Sequence, residues 1–163
     1  PFWRYLFSHI AEQVTRMPIV ITMLLLLFIF LRDYFWIPNI TVLFLSIISI
    51  LWAFILRFLI HWTFAMLCFW NEKASSIERL LLIPYIFLSG LVAPLQLYPE
   101  SIVKFAKLTP YPCLIAYPAS LLAGYEHSFA KYFLVMIFWT LLFFATSFYA
   151  WKLGVKKYSA MGA

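Results

Sequence analysis

The sequence predicts an all-α fold, a polytopic bundle of transmembrane helices, and two observations carry this prediction. Of the 163 residues, 66% are hydrophobic and 11% are charged, and the mean hydropathy is +0.95. A soluble domain is closer to half apolar and a quarter charged, so lipid is expected to solvate much of this apolar surface. The second observation is a set of four apolar segments, which predict spans at about residues 17–37, 39–70, 77–97 and 129–151.

Residues 1–16 predict an amphipathic helix ahead of these spans. One stripe is apolar, with a side chain every four residues: Phe2, Leu6, Ile10 and Val14. A second stripe is polar and contains Arg4, Glu12 and Arg16, with His9 beside it. Such a helix suits a membrane surface or a partner protein. Two interpretations stay open, a passive interfacial helix and a docking element for a cytoplasmic partner.

The first two spans differ in length. The apolar run 17–31 would be about 22 Å long, short of a hydrocarbon core of about 30 Å, so the helix is expected to continue through residues 34–37. Residues 40–70 are apolar almost without pause and predict one long, tilted or bent helix with Asn39 as its N-cap. No glycine or proline lies near Arg57 to turn the chain there.

The third span follows a polar loop at 71–79, in which Ser75 and Glu78 have the spacing of a capping box. Residues 98–128 are too polar and too rich in proline to span a membrane, and we expect short external helices there that form a cap before the last span. Residues 152–163 form a basic tail.

The basic residues predict the orientation of the chain in the membrane. With the tail inside, seven basic residues face the cytoplasm: Arg4, Arg16, Lys73, Arg79, Lys152, Lys156 and Lys157. Four face outward: Arg32, Lys104, Lys107 and Lys131. This bias follows the positive-inside rule and predicts a cytoplasmic C-terminus. Because topology accounts for the net charge of +6, no nucleic-acid partner is expected.

Four residues are candidates for a translocation path. Ser89, Gly90 and Pro94 interrupt the third span, and broken backbone at membrane depth is tolerated only inside protein or beside water. The alternative is a small-residue helix contact with an ordinary kink. Arg57 is the one charge deep within a span. It either lines a polar path, or it snorkels or pairs with a backbone carbonyl at a helix–helix contact, and the second interpretation is favoured.

Several catalytic and cofactor-binding motifs are missing from the sequence. Glycine occurs only at positions 90, 124, 154 and 162, so there is no P-loop to bind ATP. There is also no zinc-protease motif and no nucleophile elbow, and the two cysteines match no metal spacing. Glu126 and His127 could form a catalytic pair, but an acidic residue near a helix N-terminus is the favoured interpretation. We therefore expect a protein that is not an enzyme and binds no cofactor or metal.

Five phrases in order along the chain resemble a known family. They are PFWRYLFSHIAEQVTRMP, CFWNEKASSIERL, LSGLVAPLQLYPESI, LTPYPCLIAYPASLLAG and GVKKYSAMGA. Together they resemble the C-terminal portion of ABC-2-type permeases, the membrane subunits of ABC exporters. The resemblance covers essentially the whole sequence and does not identify a substrate.

The resemblance implies a permease of six spans, two of them ahead of Pro1. Residues 1–16 would be the cytoplasmic coupling helix, with Arg4, His9, Glu12 and Arg16 facing a separate ABC-type ATPase that binds the ATP. Residues 85–99 would be the broken fifth span. The family implies a dimer with a second permease chain, identical or related, in the lipid bilayer of the cytoplasmic (inner) membrane.

Two other functions stay open at this point. An intramembrane lipid-modifying enzyme would need His61, Glu126 and His127 to converge in one cavity. The predicted topology places His61 in the inner half of its span and Glu126 outside, which argues against convergence. A non-catalytic scaffold subunit would form a closed bundle without a polar or cavity-lining face.

Overall fold

A computed structural model describes residues 2–30, 38–70, 79–124 and 129–161. All regular secondary structure in these ranges is helical, which confirms the predicted all-α fold. The helices are α1 (Phe2–Phe30), α2 (Ile40–Ala65), α3 (Leu82–Leu88), α4 (Glu100–Lys107), α5 (Ala116–Leu122) and α6 (Phe129–Met161). The chain divides into two compact units, Pro1–Ile37 and Pro38–Ala163, and α1 belongs to the first.

Helix α1 is continuous over 29 residues and passes through Pro18. The Thr22 hydroxyl donates a hydrogen bond of 2.8 Å to the Pro18 carbonyl, one turn back along the same helix. No break in the helix marks the boundary between the predicted amphipathic segment 1–16 and the span that follows it. The division of this segment into a coupling helix and a span stays a prediction, and residues 31–37 of that span lie outside the described residues.

Helix α2 and the 3₁₀ turn Met66–Phe69 that follows it form the long helical segment predicted over 39–70. Asn39 stands at the N-cap position, but its side chain makes no capping hydrogen bond. The Asn39 carbonyl instead accepts the first helical bond from the Leu43 amide, at 2.9 Å.

Helices α2 and α6 form the main helix pair of the second unit. Their core contains Ala53, Leu56 and Ile60 of α2 and Met136 of α6, all buried. Two polar contacts cross the same interface. The Trp52 indole donates a hydrogen bond to the Thr140 hydroxyl at 3.0 Å, and the Thr63 hydroxyl approaches the Phe143 carbonyl at 3.3 Å. The pairing thus combines apolar burial with hydrogen bonds that are well suited to a lipid environment.

The segment predicted as one helix over 77–97 differs in the structure. Helix α3 covers only Leu82–Leu88, bends follow, and a 3₁₀ turn occupies Leu95–Leu97. The reason lies in the backbone, because Gly90 has a φ of +85°, which a right-handed helix does not accommodate. Pro94 then has an extended ψ of 137°. Residues 71–78, including the predicted capping box, lie outside the described residues.

The short helices expected within 98–128 are present as α4 and α5, with an irregular stretch between them. Gly124 has a φ of +73°, the left-handed conformation that commonly follows a helix end. Residues 125–128 lie outside the described part of the chain.

Three helical stretches in the described residues are long and apolar enough to cross a membrane: Leu6–Phe30, Ile40–Phe69 and Phe129–Lys157. Helix α6 continues past the predicted end of the last span at 151 and through most of the predicted tail. It keeps a stripe of large apolar side chains at least half exposed: Leu134, Phe138, Leu141, Phe144 and Phe148. Such a surface fits lipid as its solvent.

Candidate functional site

The break after α3 is packed inside the protein. Ser89 is fully buried, and its carbonyl accepts a hydrogen bond of 2.9 Å from the Ala116 amide at the start of α5. A Cβ added at Gly90 would lie 3.2 Å from the Cβ of Ala116, so glycine permits this close approach as well as the positive φ. The Ser89 hydroxyl oxygen is buried and has no hydrogen-bond partner within the described residues.

A cavity of about 340 Å³ lies beside this break. Gly90 and Pro94 line it, whereas Ser89 does not, so two of the three predicted residues in this segment face the same space. The remaining walls come mainly from α4 and α5, with Tyr132 of α6. The rings of Tyr117 and Tyr132 pack with centroids 4.2 Å apart and form one side. The structure thus places a cavity next to the interrupted backbone.

Arg57 turns into the protein and contacts the helix that precedes the break. Its guanidinium lies 5.0 Å from the centre of the Tyr85 ring, and its Nη1 approaches the Tyr85 hydroxyl at 3.5 Å. Its Nε is buried and has no hydrogen-bond partner within the described residues. The contact is a cation–π interaction, which desolvation strengthens. It joins two segments that the sequence had singled out separately.

A second, smaller cavity of about 60 Å³ lies at this contact. Arg57, His61 and Tyr111 are among its lining residues. Arg57 does not line the larger cavity, so the four predicted path residues do not share one space. Glu126 and His127, which an enzyme would need beside His61, lie outside the described residues. In the described ranges no cluster of metal-ligating side chains occurs.

Sequence reasoning missed the roles of Tyr85, Tyr117 and Cys113. A tyrosine in an apolar helix predicts lipid or interface contact, and nothing in the sequence alone marks it as the partner of a distant arginine. Cys113 is completely buried within the hydrophobic core of the second unit. Burial raises the pKa of its thiol to about 12, so the thiol stays protonated and unreactive at neutral pH.

The predicted coupling residues lie on α1, within the first compact unit. Arg4, Glu12 and Arg16 are exposed and His9 is half-buried. The Arg16 guanidinium forms an ion pair with the Glu12 carboxylate one turn away. Since both side chains are more than half exposed, this pair contributes little to stability and leaves the stripe accessible.

The long apolar helices define a multi-pass membrane protein. A family model described as ABC-2 family transporter protein matches residues 4–162, which is nearly the whole sequence. The chain therefore belongs to the ABC-2 transporter family, and the resemblance noted in its sequence is confirmed. No curated protein and no solved structure matches the chain.

Proposed function

We propose that this chain is the permease subunit of an ATP-driven ABC exporter in the cytoplasmic membrane. It would form the substrate path and couple to a separate ATPase subunit, with its C-terminus in the cytoplasm. The observation that carries the proposal is the family match over residues 4–162 in a sequence that has no P-loop. In this proposal ATP would be hydrolysed by the separate ATPase subunit.

The continuity of α1 supports a mechanical role for its polar half. Because helix α1 runs from Phe2 to Phe30 without a break, a displacement of its polar half would be transmitted into the apolar half. The exposed stripe of Arg4, Glu12 and Arg16 offers charges of both signs to a partner surface. ATP binding would then act by favouring one membrane conformation over the other through differential contacts.

The break after α3 and the cavity beside it support a substrate path through the second unit. The cavity at Gly90 and Pro94 shares no lining residue with the smaller cavity at the Arg57 contact. The path would therefore include two separate cavities. The exposed apolar stripe on α6 offers a surface for lipid or for the second permease chain that the family implies.

The proposal is tested by reversing a charge on α1. In the full-length protein co-expressed with its ATPase, Glu12→Lys should weaken association and lower ATP hydrolysis per permease by about tenfold, as for a loss of about 1.4 kcal/mol. Glu100→Lys is the matched control, because Glu100 also belongs to an exposed ion pair one turn apart, with Lys104 on α4. Equal ATPase content and activity in Glu12→Lys and wild type would contradict the coupling role.

A further inference from the structure

The cavity beside Gly90 has the size of a small-molecule site. Its volume of about 340 Å³ lies within the range of ligand pockets, about 300–1,000 Å³. Its walls are mostly apolar, as such pockets usually are. An apolar ligand would therefore leave water on entering it, and that transfer is favourable.

Small side chains on α5 keep this cavity open. Ala116, Ala119 and Ala123 recur at helical spacing and all line it, and Gly90 lies opposite Ala116. A larger residue at any of these alanines would occupy the space. Ala119 and Ala123 are exposed, so they can be enlarged without repacking the core.

The polar groups of the cavity favour a ligand with a negative end. Lys107, in the last turn of α4, is the one charged residue among the lining residues, and no carboxylate lines the cavity in the described part of the chain. Lys107 forms no ion pair with a described residue, whereas Lys104, on the same helix, pairs with Glu100 at 3.5 Å. The buried Ser120 hydroxyl already donates to the Tyr117 carbonyl, at 2.9 Å.

We propose that this cavity binds a single-chain anionic amphiphile. The apolar chain would lie between the α5 alanines and the Tyr117–Tyr132 wall, and a carboxylate or phosphate head would contact the Lys107 ammonium. The binding claim is independent of transport. That the bound amphiphile is the exported compound, rather than a lipid of the surrounding bilayer, rests on the proposed function.

Photo-cross-linking tests the binding claim directly. The full-length protein in phosphatidylcholine nanodiscs is irradiated with a dodecanoate analogue that carries a diazirine on its chain, and the labelled peptides are identified by mass spectrometry. We expect labelling within residues 90–123 or at Tyr132, which also lines the cavity, with competition by dodecanoate and dodecyl phosphate and none by dodecyltrimethylammonium. Labelling elsewhere, or equal competition by the cation, would overturn the proposal.

Two pairs of variants test separately how the cavity binds the apolar chain of the amphiphile and how it binds the anionic head group. Ala119→Trp should reduce labelling at least about fivefold, as expected for a site filled by a side chain at a cost of about 1 kcal/mol or more. Ala130→Trp should not reduce labelling, because Ala130 is an exposed residue of α6 that does not line the cavity.

Lys107→Gln should weaken labelling, whereas Lys104→Gln should leave it unchanged. Because both lysines are exposed, neither change disturbs packing. Equal labelling of Lys107→Gln and Lys104→Gln would overturn the role of the charge.

A transport assay distinguishes whether the bound amphiphile is the exported compound or a lipid of the bilayer. The assembled complex is placed in vesicles with its ATPase facing outward, tritiated dodecyl phosphate and ATP are added outside, and uptake of the probe into the lumen is followed. ATP-dependent movement that Ala119→Trp abolishes supports the amphiphile as cargo. Specific labelling without ATP-dependent movement overturns the cargo assignment while supporting a lipid site in the same cavity.

Discussion

Gly154 shows how a single residue sets the packing of α6. A Cβ at this position would lie 2.2 Å from Cδ2 and 2.6 Å from Cγ of Phe69, far inside van der Waals contact. The Phe69 ring is itself held edge-on against Trp151, with centroids 5.8 Å apart, so it cannot move aside freely. Gly154 has no positive φ, so its backbone conformation does not call for glycine. Glycine is required here because the Phe69 ring lies so close.

Gly154→Ala should destabilise the protein by about 1–3 kcal/mol, the usual range for overpacking. Thermal unfolding of the full-length protein in detergent measures the loss. The double variant Gly154→Ala/Phe69→Ala serves as the control, because removal of the ring should make the added methyl group tolerable. The account of this contact fails if Gly154→Ala is as stable as wild type, or if it is equally harmful with and without Phe69.

Individual residues differed in how far the sequence could predict their role. The sequence identified Arg57 as an unusual charge because its neighbours along the chain are apolar. Its partner, Tyr85, is 28 positions away, and their contact depends on how α3 packs against α2. The burial of Cys113 was equally hidden, since a cysteine within a proline-rich stretch carries no signal that it enters a core.

At the scale of elements, the hydrogen bond between Trp52 and Thr140 links α2 to α6. In a double-mutant cycle with Trp52→Phe and Thr140→Val, we expect a coupling free energy of about 0.5–1 kcal/mol, typical of hydrogen bonds between membrane helices. Unfolding of each variant in mixed micelles provides the values. Thr146→Val is a suitable control for the threonine change, because the exposed Thr146 hydroxyl bonds only within its own helix. Strictly additive effects of Trp52→Phe and Thr140→Val would show that this bond does not couple the helices.

The elements themselves were predicted unevenly from the sequence. Long apolar runs without glycine or proline predicted α2 and most of α6, because a membrane-spanning segment satisfies its backbone hydrogen bonds in lipid by forming a helix. The span predicted over 77–97 is interrupted after Leu88, at the break that the sequence indicated, because one glycine at φ +85° and one extended proline outweigh the apolar composition around them. The cavity beside them forms where the broken segment packs against α4, α5 and α6. A local sequence pattern cannot predict such packing.

At the scale of the whole molecule, cysteine labelling tests the orientation in the membrane. In a full-length Cys68→Ser background, Lys104→Cys should react with an impermeant maleimide on intact cells, and Lys157→Cys only after disruption. Both positions are exposed. The native Cys113 should not react with the maleimide, because burial removes its thiol from solvent and raises the thiol pKa to about 12. The reverse pattern would invert the topology and remove α1 from the cytoplasmic face.

The chain belongs to the ABC-2 transporter family, and this membership supports the proposed coupling to a separate ATPase. The most direct measurement is purification of the tagged full-length protein from membranes in mild detergent, with identification and quantification of the proteins that accompany it. The account predicts a stoichiometric ABC-type ATPase, retained by wild type and reduced in Glu12→Lys. An intact, monodisperse protein that purifies without any ATPase would contradict it.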